Sequence, residues 1–187
     1  MKQNSNLKPI EQYFEYVCSI AGEGDDFLTS KGGVRVTEDF EEIDRILEEH
    51  ADFVDSSGEK PLSLIDEAQR YLGVVFPPSY VEFLMRWGTL DFGPNEYYGV
   101  IDQDFDNSGV PDAVWFTMTE RVGRGFPPHL IVVRNIDGDE YHCLDTTNYD
   151  ADGECPVVVW DCPSHGVSRK KADRFSQYLL QDLKDFI

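Results

Sequence analysis

A chain of 187 residues that is 41% hydrophobic and 13% aromatic can bury one sizeable core, and its composition excludes the disordered and fibrous classes. Its formal net charge of −20 argues against nucleic acid or anionic lipid as partners and favours a basic one, although acidity also serves plain solubility. No run of about 18 apolar residues occurs, and the N-terminus MKQNSNLKPIEQ lacks the apolar core of a secretory signal, so the expected compartment is the cytoplasm.

In chain order, Pro9 precedes a helical stripe of Ile10, Phe14, Val17, Cys18 and Ala21, and residues 22–33 read as an irregular loop. Residues 34–36 read as a short strand. Thr37 is placed to cap a helix with Phe40, Ile43 and Leu47 inward and a dense acidic cover of Glu38, Asp39, Glu41, Glu42, Asp44, Glu48 and Glu49. The polar stretch DSSGEK, residues 55–60, is the expected linker. Residues 1–60 are therefore expected to form an N-terminal helical elaboration packed on a core domain of residues 61–187.

The most informative stretch is residues 64–99, which reads as two helices and a strand. Ile65, Ala68 and Leu72 recur at helical spacing and Gly73 supplies the left-handed stop. Pro77 and Pro78 bar continuation, and Ser79 with Glu82 three residues on has the form of a capping box. Tyr80, Phe83, Leu84 and Trp87 make the buried stripe of the second helix, which Gly88 closes.

Residues 97–101 read as a strand, and the Asp102, Asp104, Asp106 loop after it fails the EF-hand pattern, with Asn107 and Ala113 at its sixth and twelfth places. A helix is predicted over residues 112–122. The unbroken apolar run 130–133 suits a central strand, Asp137-Gly138 signals a hairpin into a strand over 140–145, and PVVVWD supplies another. Ser168 is placed to cap a last helix with Ala172, Phe175, Leu179 and Leu183 inward. Arg169, Lys170, Lys171 and Arg174 near that start oppose the helix dipole and so call for acidic neighbours in space. The sum is α+β: N-terminal helices, a central, mostly antiparallel β-sheet and a C-terminal helix.

No HExxH, nucleophile elbow, P-loop or dinucleotide fingerprint is present, so catalysis has no foothold in motif terms. Cys143, Cys155, Cys162 and His165 lack the spacing of a structural zinc knuckle, the three cysteines read as core thiols, and no cofactor is expected. His142 and Cys143 read as half-buried packing residues of their strand. Aromatic residues beside acidic loops fit a protein interface: Glu96, Tyr97, Asp102, Asp104, Asp106, Asp112, Trp115, Asp150 and Asp152 are the candidate partner-binding set. Taken individually, Tyr97 and Trp115 read more readily as core than as interface.

The succession IDEAQRYLGVVFPPSYVEFLMRWG, YYGV, FPPHLIVVRNIDGDEYHCLDT, DGECPVVVWD and ADRFSQYLLQDL resembles the SUKH superfamily, and within it the YobK-type branch related to the yeast Smi/Knr cell-wall regulators. The resemblance covers residues 62–183. Its marks are Leu72-Gly73, the prolines before Tyr80, Phe83 and Leu84, Gly88, the strand 141–145, and Glu154-Cys155-Pro156-Val157-Val158 before Trp160-Asp161. What it implies is an α+β fold without a catalytic centre, used in bacteria largely as immunity proteins that neutralise polymorphic toxins, often nucleases. The charge agrees, since a nuclease carries a basic cleft that an acidic protein can occlude. The expectation is thus a non-enzymatic immunity protein, a monomer or weak homodimer, with a basic toxin as partner. The alternative is a regulatory or scaffold module of the Smi/Knr type, and a hydrolase with an unrecognised site stands behind both.

Overall fold

The computed structural model describes residues 31–187, with side chains from residue 36 onward. Its elements are α1 (Lys31–Glu49), a 3-10 turn (Ala51–Phe53), β1 (Val54–Ser56), α2 (Leu62–Leu72), α3 (Pro78–Trp87), β2 (Leu90–Phe92), β3 (Asn95–Tyr97), α4 (Ala113–Arg124), β4 (Leu130–Ile136), β5 (Glu140–Asp145), β6 (Val157–Asp161), β7 (Gly166–Ala172) and α5 (Phe175–Phe186). The α+β expectation holds: both sheets are antiparallel, one in the order β1-β2-β3 and one in the order β4-β5-β6-β7.

The larger sheet is buried on both faces. Ile131, Val133, Leu144 and Val157 point into the main core with α1, α2, α3 and α5, while Leu130, Val132, Cys143 and Val158 point under Ala113 and Phe116 of α4. Double burial explains the unbroken run 130–133. β4 nevertheless stands at the end of the sheet, not in its centre as the run suggests. Its outer edge is satisfied from outside, since the Tyr98 amide donates to the Val133 carbonyl (2.8 Å) and the Val132 amide donates to Thr117 Oγ1 (3.0 Å).

Several boundaries follow the sequence closely. Gly73 ends α2 in the left-handed conformation, at φ 71° and ψ 33°, and the β4–β5 hairpin turns through Asp137 and Gly138, both at positive φ. Gly88 ends α3 with φ 70°. Gly99 crosses it so closely that a Cβ there would lie 1.6 Å from the Gly88 carbonyl oxygen, so the 97–101 segment leaves β-pairing after Tyr97 and contributes only a single bridge, Gly99 to Asp112.

Four expectations are corrected. Residues 34–36 are helical, because Val36 extends the buried stripe of Phe40, Ile43 and Leu47 by one turn. The linker 55–60 begins inside β1, where Asp55 and Ser56 pair with Asp91 and Leu90. Ser79 and Glu82 do not form a capping box: Pro77 is the N-cap, Glu82 pairs with Arg86 at 2.6 Å, and the acceptor for Ser79 comes from Glu154. Ser168 caps no helix, because residues 166–172 form the edge strand β7 along β6, and α5 starts at Phe175. An edge strand needs no apolar periodicity, and its long cations blunt the open edge. Three of those four cations find acidic neighbours: Arg169 with Glu140 (2.8 Å), Lys170 with Asp173 (2.5 Å) and Arg174 with Asp39 on α1 (3.0 Å). The helix predicted over residues 10–21 and residues 22–30 of the predicted loop lie outside the described residues, whereas residues 31–33 of that loop are the first turn of α1.

Candidate functional site

The corner between α2 and α3 collects much of the free acidity. Just after α2 the Phe76 ring is buried and its amide donates to Gln69 Oε1 (2.7 Å), which fixes the turn and leaves Val75 61% exposed. Tyr71, 40% exposed, lies off the buried stripe of α2. Its ring packs 5.2 Å from Phe105 and its hydroxyl donates to Asp106 Oδ1 (2.5 Å). Phe105 is buried, so it anchors the loop while Asp102, Asp104 and Asp106 stay exposed on either side.

These aspartates also shape their own loop. Asp102 Oδ1 accepts the Asp104 amide (2.8 Å), and Asp104 Oδ1 accepts the amide and the side-chain nitrogen of Asn107 (3.2 and 3.0 Å). A second acidic loop docks on the same corner, because the Tyr149 hydroxyl donates to the Val75 carbonyl. There Asp150 accepts the amides of Asp152 and Glu154, both at 2.9 Å. Tyr71 and Tyr149 thus hold two acidic loops against one short segment.

A groove of about 590 Å³ runs from this loop along α2, with Glu59, Glu67, Asp102 and Asp104 among its walls. Lys60 is there too, but its ammonium donates to the carbonyls of Ser57 and Ile101, both at 2.9 Å. Burial lowers its pKa. The groove is accordingly a region of negative potential.

Of the nine candidate residues, Asp106 is held at this corner by Tyr71, Asp150 and Asp152 lie in the loop that Tyr149 ties to Val75, and Asp102 and Asp104 line the groove along α2 toward Lys60. Glu96 is exposed but stands on β3, opposite Asp91, which in turn faces Asp55 on β1. Burial raises the Asp91 pKa, and Glu96 and Asp55 raise it further. Tyr97 and Asp112 are turned inward, where they serve the fold. The Tyr97 hydroxyl donates to Asp182 Oδ2 (2.7 Å) beneath Arg134. Asp112 caps α4 by accepting the Trp115 amide (2.8 Å) and binds the Ile101 amide with its other oxygen (3.0 Å). Trp115 is half-buried beside Phe116.

Sequence reasoning missed Tyr71, Glu59 and Glu67. A signal was present for Tyr71, an aromatic on the polar side of α2 next to the buried Leu72. The acidic face of α1, by contrast, is partly neutralised, by Arg174 on Asp39, Arg86 on Asp44 and Arg45 on Glu42.

The cysteines and histidine offer little chemistry in this arrangement. Cys143 and Cys155 are buried free thiols whose pKa values burial pushes up. His142 is buried, with Nδ1 2.8 Å from the Tyr178 hydroxyl, and burial lowers its pKa to about 4. No group of three or more His, Cys, Asp or Glu among the described residues is placed to hold a metal ion. No helix among them is long and apolar enough to cross a membrane.

Compared with models of protein families, residues 41–184 match SUKH_5, described as SMI1-KNR4 cell-wall. The chain belongs to this SUKH family. The match begins within α1 and runs into α5, so it takes in both sheets and the acidic corner.

Proposed function

We propose that this SUKH protein is an immunity protein of the YobK type that binds and neutralises a bacterial polymorphic toxin, a basic nuclease, by covering its nucleic-acid cleft. The observation that carries the reading is the corner itself. Tyr71 and Tyr149 draw two acidic loops to a single exposed segment, giving aromatic anchors ringed by carboxylates whose long-range field steers a cationic partner. On this reading the protein needs no cofactor and performs no reaction; it acts as a monomer or weak homodimer in the cytoplasm, where it meets the toxin.

The test is coexpression with candidate toxins from the same source, scored by survival of the host and by copurification. Rescue with copurification by one toxin is the expected result. A second reading, a Smi/Knr-type regulatory or scaffold module, draws on the cell-wall description of the matched family. It predicts copurification with a non-toxic partner and no rescue by any toxin.

A further inference from the structure

The α4-covered face of the larger sheet opens into a cavity of about 200 Å³, formed by residues that the acidic corner does not use. Phe126, Tyr141 and Trp160 wall it, with Glu120 and Arg124 of α4 on one side and Cys162 and His165 of the β6–β7 turn on the other. The rings stand steeply to one another: Phe126 to Trp160 at 5.3 Å and 79°, Phe126 to Tyr141 at 6.1 Å and 68°. In each pair one ring sets its edge against the other's face, so the wall of the pocket is aromatic, and the face of an aromatic ring attracts a cation.

The carboxylate sharpens that preference. Glu120 is only 8% exposed, so its charge acts at reduced dielectric. The cation now facing it is Arg124, whose Nη1 lies 3.5 Å from Glu120 Oε2 and donates to the Tyr141 hydroxyl at 3.2 Å. Arg124 reaches in from solvent, with 59% of its side chain exposed, and such an i,i+4 surface contact is weak. It stands where a better-held guest would sit.

We propose that this pocket binds an organic cation, an alkylammonium or guanidinium head, with Glu120 as counter-ion, Phe126 and Trp160 as aromatic walls, and Arg124 giving way to the guest. The cavity is smaller than the roughly 300–1,000 Å³ of drug-sized sites, which limits the guest to a single head group. The assignment is independent of the toxin reading, since it uses a different face and different residues.

The test is an NMR titration of the full chain that follows the Trp160 indole N–H, assigned by its loss in Trp160→Phe. Methylguanidinium, tetramethylammonium and the peptide N-acetyl-Gly-Arg-Gly-amide serve as probes, with urea as the uncharged control. The cations should shift the Trp160 signal saturably and leave Trp87 in place, and urea should do neither. Arg124→Ala should bind at least about threefold tighter, and Glu120→Gln at least about tenfold weaker. A peptide that binds more tightly than methylguanidinium assigns the guest to a protein side chain; equal or weaker binding assigns it to a free small cation. The proposal is overturned if no cation gives a saturable Trp160 shift, or if a folded Glu120→Gln binds as well as wild type. Should Glu120→Gln not fold, Arg124→Ala decides alone, and unchanged or weaker binding there overturns it.

Discussion

Glu154 and Ser79, 75 residues apart in the chain, share two hydrogen bonds in the core: the Ser79 amide donates to Oε1 (2.8 Å) and the Ser79 hydroxyl to Oε2 (2.6 Å). One carboxyl thus supplies the acceptors that the first turn of α3 lacks, and ties that helix to the loop leading into β6. Glu154→Ala would leave a buried amide and a buried hydroxyl unsatisfied, and should cost about 2–4 kcal/mol in urea unfolding. Glu154→Gln, which keeps an acceptor, should cost distinctly less.

The same carboxyl sets a pH dependence. Burial raises Glu154 to about 7 from 4.5, so the native state keeps a proton that the unfolded chain releases. Its contribution is full below pH 4.5 and is lost as pH rises to about 7. His142 works in the opposite sense: burial lowers it to about 4 from 6.5, so its contribution is full above pH 6.5 and is lost as pH falls toward 4. In melts across pH 4–8, the midpoint of Glu154→Gln relative to wild type should rise with pH, and that of His142→Gln should fall. Each change should be on the order of 3 kcal/mol end to end. Parallel profiles for both variants would contradict the burial account.

The two helices flanking the corner were legible because their signals are local: apolar spacing, Gly73, Gly88 and the prolines. The hairpin at Asp137-Gly138 was legible for the same reason. The errors fall where a partner distant in sequence decides the outcome. Glu154 replaced the Ser79–Glu82 capping box, and β6 recruited residues 166–172 as an edge strand although Ser168 looked like a helix start. The site followed the same rule. The charge of residues 102–106 was evident, but its union with Asp150 and Asp152 depends on Tyr71 and Tyr149 reaching across the fold. Tyr97 and Asp112 share the composition of the surface set and differ only in where the backbone points them.

The core prediction centres on Phe83 more than Trp87. Phe83 is fully buried and packs 5.0 Å from Phe175 of α5 and 5.7 Å from Tyr80, whereas Trp87 is only partly buried. Phe83→Ala should cost about 3–5 kcal/mol, and Trp87→Ala less. Chemical denaturation of both variants checks the order.

Aspartates of one short stretch should separate by role. Asp112→Ala removes the cap of α4 and the acceptor for the Ile101 amide, and should cost about 2–3 kcal/mol. Asp104→Lys with Asp106→Lys removes only the local hydrogen bonds of an exposed, like-charged loop, to Asn107 and Tyr71, and should leave the melting temperature within a few degrees of wild type. Equal loss in both variants would show that the exposed carboxylates also hold the fold.

The central claim, that the corner held by Tyr71 and Asp106 receives a basic partner, is tested most directly by association kinetics with the toxin recovered from coexpression. Asp104→Lys with Asp106→Lys should slow association about tenfold or more at low salt. Wild-type and variant rates should converge as salt rises to about 0.5 M, where exposed charges are screened. An unchanged rate at low salt, with the fold intact, would contradict the claim and take this corner out of the interface.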